Sequence, residues 1–212
     1  MDLKPNRSTS QRWMTFVRNH AKAIVACDFV VTVTARFRIL YVFVVMEVGS
    51  RKLLHVNATP HPTASWTLQQ LREAIPSDHD YRWLIHDRSD IFSEDLDRSV
   101  QAMEVKVLKT PVNAPKANAY CERLIGSLRR ECLDWFIPFN ERHLRILLRE
   151  WMAHYNGSRP HLSLGPGIPE PRQGLPVARQ VQRHAVPKGF LIKKGSILGG
   201  LHHEYRLERV AA

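Results

Sequence analysis

Apolar residues gather in three short runs near the start of the chain, then spread out to a helical period. Ile24 to Val31 is a β-rich apolar run broken by one carboxylate, Asp28. Arg36 to Met46 holds Leu40-Tyr41-Val42-Phe43-Val44-Val45 at its heart, and Lys52 to Val56 follows a turn at Gly49-Ser50. Runs of this length between turn residues predict three strands, joined closely enough to form an antiparallel meander. From Ser65 the spacing changes. Trp66, Leu68, Leu71 and Ile75 form a stripe that predicts a helix capped by Ser65. A strand over Tyr81–His86, a short helix near Glu94–Met103 and a strand over Val105–Leu108 come next. Pro111 and Pro115 make the following connection extended. Two helices close the series, one from about Asn118 to Trp135 and one over about Glu141–Tyr155. Leu144, Leu147, Leu148, Trp151 and Tyr155 share a face of the second, which is core packing. The order predicts an α/β body in which helices cover a mixed five-stranded sheet.

The flanks differ from this body. Residues 1–22 are polar and basic, with Trp13 and Phe16 as anchors, and read as an arm. After Asn156, prolines and glycines become dense and read as a linker. The last stretch is a basic C-terminal extension with a short β-like piece from Phe190. The expected division is therefore 1–22, 23–158 and 159–212.

Charge sharpens that division. The chain carries 31 Lys and Arg against 20 Asp and Glu, a formal +11, and both flanks are strongly basic while the body is nearly neutral. Basic extremities on a neutral body suit a polyanionic ligand, or serve as solubility devices. No apolar run is long enough to span a bilayer, and no charged start leads into an apolar signal region, which argues against membrane and secretory classes. Three cysteines, Cys27, Cys121 and Cys132, cannot build a disulfide framework and have no CxxC spacing. His202 and His203 have no third ligand at zinc-site spacing, so a zinc protein is disfavoured.

Three carboxylates stand out. Asp28 lies within an apolar strand, where an unpaired charge costs several kcal/mol. It is either salt-bridged or edge-facing, or it meets a cation. Asp87 follows the strand Tyr81–His86, at an end where α/β sheets place functional groups and where turns also favour Asp. Glu122 lies early in a helix, a position that suits an acid through the helix dipole alone. Converging, the three would offer hard oxygen ligands for two divalent cations, Mg²⁺ or Mn²⁺ rather than zinc. Such a pair of metals serves phosphodiester chemistry.

The segments Cys27-Asp28-Phe29, Ile85-His86-Asp87-Arg88 and Pro115-Lys116-Ala117-Asn118-Ala119-Tyr120-Cys121-Glu122-Arg123 resemble the DDE transposases and integrases. So do Arg129-Arg130-Glu131-Cys132-Leu133-Asp134, His154-Tyr155-Asn156 and Arg159-Pro160-His161, which look like bacterial insertion-sequence transposases. These blocks occur in order from about residue 22 to residue 170. The resemblance implies a ribonuclease H-like fold, the retroviral-type integrase core.

It also implies that Asp28, Asp87 and Glu122 form a catalytic triad holding Mg²⁺ or Mn²⁺. The implied reaction cleaves DNA at element ends and joins the freed 3′-hydroxyl to target DNA, without a covalent enzyme intermediate. Asn118 matches the residue ahead of the family's glutamate and is expected to cap the helix that presents Glu122. Lys116, Arg123, Arg129, Arg130 and Arg159 are expected DNA contacts; for Arg129 the competing reading is a surface ion pair. His86 is expected to pack against the site rather than act as a base. Element ends and target DNA are the implied partners, with a homo-oligomer assembled on DNA and a cytoplasmic, nucleoid-associated location.

Two departures qualify the resemblance. Ser89-Asp90-Ile91-Phe92 puts an extra acid after Asp87 where the family has a basic residue. The stretch before the first strand is also too short for the family's helix-turn-helix region, so a separately encoded helix-turn-helix subunit is an expected partner. The alternatives are a truncated remnant that only binds DNA, and a ribonuclease H-like nuclease that cuts without joining.

Overall fold

The computed structural model describes residues 9–110, 118–165, 167–171, 186 and 189–210. The connection through Pro111 and Pro115, and Lys116 with it, lies outside the described residues. The chain divides into two compact units, Met1–Leu148 and Arg149–Ala212.

The first unit is built on the expected sheet. β1 (Ile24–Val33), β2 (Ile39–Glu47) and β3 (Leu53–Thr59) form the antiparallel meander, and β4 (Trp83–His86) and β5 (Lys106–Lys109) add in parallel, giving the order β3-β2-β1-β4-β5. Side chains alternate across β1. Val25 and Cys27 enter one core with Phe43, Val45, Leu71, Leu84, Leu96 and Val100. Ile24, Ala26 and Val30 are buried on the opposite face. α2 (Ala64–Ala74) and α3 (Glu94–Gln101) cover the first face, and α4 (Ala119–Leu128) packs against β1.

Local chemistry moves several element ends from their expected places. The cap of α2 is Thr63, not Ser65: the Thr63 hydroxyl accepts the Trp66 N–H at 3.2 Å, which satisfies one of the helix's free donors. Ser93 does the same for α3 through Leu96 N–H. The long helix expected over Asn118–Trp135 is two pieces, α4 and a π-helical turn over Arg129–Leu133. Ahead of the sheet, the stretch read as an arm contains a helix, α1 (Thr9–Asn19), and a 3-10 turn over Ala21–Ala23. Its order comes from burial: Val17 is fully enclosed, and the Phe16 ring meets Trp83 edge-on at 5.3 Å.

The two compact units divide within α5 (Glu141–Gly157). Along α5, Leu144, Leu147, Leu148, Trp151 and Tyr155 are all buried. Within the second unit, β6 (Phe190–Ile197) and β7 (His202–Arg209) pair as an antiparallel hairpin, more regular than the short β-like piece the sequence suggested. The His154 ring stacks on His202 and donates to Glu204 at 3.0 Å, and the Glu150 carboxylate accepts the Leu198 N–H at 2.6 Å. No helix among the described residues is long and apolar enough to cross a membrane. Cys27, Cys121 and Cys132 are free and buried.

Candidate carboxylate site

The parallel register sets the first two acids side by side. β1 pairs with β4 as Ile24↔Trp83, Val25↔Leu84 and Ala26↔Ile85, and the same offset carries Asp28 to Asp87, the first residue beyond β4. Asp28 is half-buried on β1, where its Oδ1 accepts the Phe29 N–H at 2.8 Å. Asp87 Oδ1 accepts the Ser89 N–H at 3.0 Å, a turn that fixes the carboxylate just after the strand. Glu122 is exposed in the first turn of α4, its N–H bonded to Asn118 O at 3.0 Å.

Burial raises the Asp28 carboxyl from its ordinary 3.8 to about 6. The Phe29 N–H opposes that rise, and the negative charges of Asp87 and Glu122 add to it. The three acids therefore share one electrostatic neighbourhood. They are not closed into a ligand set: among the described residues no group of three His, Cys, Asp or Glu side chains stands ready to hold a metal ion. The donor chemistry nonetheless fits Mg²⁺ or Mn²⁺. All three groups are hard oxygens, a cation would relieve the repulsion that Asp87 and Glu122 exert on Asp28, and the buried Asn118 Oδ1 beside Asp28 has no hydrogen-bond partner.

Asn118 corrects an expectation. It sits at the N-cap position of α4 but makes no side-chain cap bond. Its amide instead donates to Asp28 Oδ2 at 3.3 Å and to the Cys27 carbonyl at 3.4 Å. A buried polar side chain takes the partners its enclosure offers, and here those lie on β1.

Behind Asp87, His86 packs as expected, within a polar cluster whose Asp97 and Lys109 sequence reading missed. The buried His86 ring stacks on Phe92 at 4.3 Å, and its Nε2 meets Asp97 Oδ1 at 3.0 Å. Its Nδ1 faces the Asp87 carbonyl. Asp97 Oδ2 takes Lys109 Nζ at 2.7 Å. The available signal was an acid on the apolar side of a helix, since Asp97 is buried between Leu96 and Val100 on α3.

The basic residues are divided. Arg123, Arg129 and Arg130 are exposed along and just beyond α4. Arg129 donates to the Val31 carbonyl at 3.4 Å, a different contact from the ion pair weighed for it. Arg130 lies over Gly126, where an added Cβ would stand 3.1 Å from its Nη1. Arg159 belongs to the second unit, its guanidinium near His161 Nδ1 at 3.4 Å and 5.6 Å from the Tyr155 ring centre.

Residues 103–169 match the integrase core domain family. A 76-residue stretch is 38% identical to an uncharacterized 39.2 kDa protein of insertion element IS476 from Xanthomonas euvesicatoria, covering 35% of this chain and 21% of that protein. A 74-residue stretch is 35% identical to an uncharacterized 31.7 kDa protein of insertion element IS407 from Burkholderia multivorans, covering 34% of this chain and 26% of that one. The match therefore spans only about a fifth to a quarter of these relatives' length. Among solved structures, the catalytic domain of Mos1 mariner transposase aligns with a TM-score of 0.56 at 14% identity, over 72% of this chain and 85% of that one. The catalytic core of BIV integrase aligns with a TM-score of 0.51 at 14% identity, over 70% of this chain and 91% of that one.

Proposed function

We propose that this chain, which is similar to integrases and insertion-element transposases and has the ribonuclease H-like fold of their catalytic cores, is the catalytic core of a DDE-type transposase. What supports this reading most is that the charges of Asp87 and Glu122 both bear on the half-buried Asp28 carboxyl, which brings the three acids into one neighbourhood. In this reading the chain cuts a DNA phosphodiester and joins the freed 3′-hydroxyl to target DNA.

Asp28, Asp87 and Glu122 would hold Mg²⁺ or Mn²⁺, which when bound supplies an activated hydroxyl nucleophile and stabilises the leaving oxygen. The protein's own part is placement. The Phe29 N–H and the Asn118 amide orient the two oxygens of Asp28, and the Ser89 N–H orients Asp87. Arg123, Arg129 and Arg130, with Lys116 and Arg159, neutralise DNA phosphates, which positions the strand without reading its sequence. Two DNA ends call for more than one copy, so a homo-oligomer on DNA belongs to the proposal. A separately encoded helix-turn-helix subunit and a nucleoid-associated location complete it.

The test is Mg²⁺- or Mn²⁺-dependent cutting and joining of a branched DNA substrate, with wild type beside Glu122→Gln. Expected are joined products from wild type and none from the variant at equal DNA affinity. Products shortened but never joined would indicate the nuclease reading, and binding without cutting by wild type the remnant. Arg129→Ala is expected to weaken binding and reduce the slope of log affinity against log salt by about 0.9, one phosphate's worth. An unchanged slope, measured by fluorescence anisotropy, would leave Arg129 as a brace on the Val31 carbonyl.

A further inference from the structure

The β1–β2 hairpin runs on past the carboxylate site. Asp28 is in the middle of β1, and five more residues carry the strand to Val33, about 17 Å further at 3.4 Å per residue. The turn at its end is Thr34-Ala35-Arg36-Phe37-Arg38. At its apex Phe37 is 90% exposed and has a φ of 57°, the left-handed region that a bulky residue rarely adopts. A large apolar ring is thus held in solvent by a strained backbone.

The apex is fastened from below. Buried Thr34 anchors it three times: its N–H donates to the Arg38 carbonyl at 2.9 Å, its carbonyl accepts the Phe37 N–H at 2.9 Å, and its hydroxyl accepts the Arg38 N–H at 3.1 Å. The Ala35 N–H donates to the Pro138 carbonyl at 2.9 Å, tying the turn to the segment before α5. Arg36 and Arg38 stand exposed on either side of the ring, with no carboxylate paired to them among the described residues. The cross-strand pair just below, Val33 and Ile39, is also exposed.

We infer that this apex is a wedge for duplex DNA, with Phe37 entering the base stack and Arg36 and Arg38 taking the flanking phosphates. The inference rests on the proposed function for DNA as the ligand and adds a second contact to it. An exposed aromatic between two cations matches how proteins open a base step: the ring replaces a stacking partner and the cations meet the backbone. The same charges disfavour a second copy of this face, because four guanidinium groups would meet with no acid between them. Phe37 lies beyond the about 17 Å of strand that follows Asp28, so the opened step is several base pairs from the phosphodiester at the carboxylates.

The experiment uses the full chain with Ca²⁺ in place of Mg²⁺, on duplexes carrying 2-aminopurine at successive positions around a mapped cut site. Wild type is expected to raise the fluorescence severalfold at one step several base pairs from the cut, with the other positions unchanged. Phe37→Gly removes the ring and accepts the left-handed φ without strain, so it keeps the fold and is expected to lose that signal. Phe37→Leu, still an apolar wedge, keeps part of it. Arg36→Gln with Arg38→Gln is expected to lower the salt slope by about 1.8.

The inference is overturned if Phe37→Gly leaves the fluorescence rise intact, or if wild type binds DNA with no rise at any position; the proposed function survives both results. A loss of oligomer mass in Phe37→Gly with the fluorescence unchanged would assign the tip to a second copy instead. Failure of wild type to bind DNA at all would overturn the proposed function together with the wedge.

Discussion

Asp28→Asn is expected to abolish metal-dependent cutting and joining, by about a thousandfold or more, while making the protein harder to unfold at pH 7.5. The two effects share a cause. Asp28 titrates near 6 in the fold against 3.8 ordinarily, raised first by burial and then by Asp87 and Glu122. An acid whose folded value is raised favours the folded state while protonated, and that advantage is lost as pH climbs through the window from about 4 to about 6. Above the window the ionised Asp28 costs of order 2–3 kcal/mol. Asparagine carries no charge to desolvate, so the variant avoids that cost. In metal-free buffer its melting temperature should exceed wild type by several degrees at pH 7.5, with the gap closing near pH 4. Adding Mg²⁺ should raise the wild type's melting temperature and leave the variant's in place. A variant with wild-type stability across the pH range, or with retained cutting, would remove Asp28 from the acidic cluster's function.

Asp97→Ala should be the more damaging change to the fold, by about 3 kcal/mol. Asp97 holds His86 with one oxygen and Lys109 with the other. Lys109 is one-third exposed and can turn to water, but His86 is buried and has nowhere to go. Removing the carboxylate leaves the ring's Nε2 without a partner, and an unsatisfied buried donor costs more than the lost bond was worth. Asp95→Ala is the control, since its pairing with Arg98 is exposed on both sides and contributes little. Urea unfolding at 25 °C should separate the two variants by most of that 3 kcal/mol. Because His86 also faces the carbonyl of Asp87, Asp97→Ala should cut more slowly even at temperatures where it stays folded. Equal midpoints for the two variants would mean that His86 needs no partner there.

The sheet was legible because its signal is local. Three apolar runs and two short ones carry their own period, and the strands begin within a few residues of the expected ones. The placement of the three acids was legible for a related reason, since Asp28 lies within a strand, Asp87 just beyond one and Glu122 in the first turn of a helix. What stayed hidden depends on contacts across the chain. Asn118 gives its amide to β1, 90 residues away, in place of the helix it precedes, and nothing within its own segment distinguishes the two uses. Asp97 reads as one of three acids in the first turn of α3, where the helix dipole is reason enough for all of them. Only the packed His86 shows that one of the three faces inward. The basic arm gave no helical signal: charge and polarity dominate its composition, while Phe16 and Val17 supply the burial that orders a helix.

The three buried thiols turn the protein into a clock for its own opening. Cys27 is on β1, Cys121 on α4 and Cys132 in the π-helical turn, so together they report on the sheet and on the elements that follow its last strand. Burial and the nearby carboxylates hold the Cys27 and Cys121 thiols well above their usual range, so the reactive thiolate is scarce as well as enclosed. An alkylating reagent can reach them only when the structure opens locally, and the rate of modification then measures how often each layer comes apart.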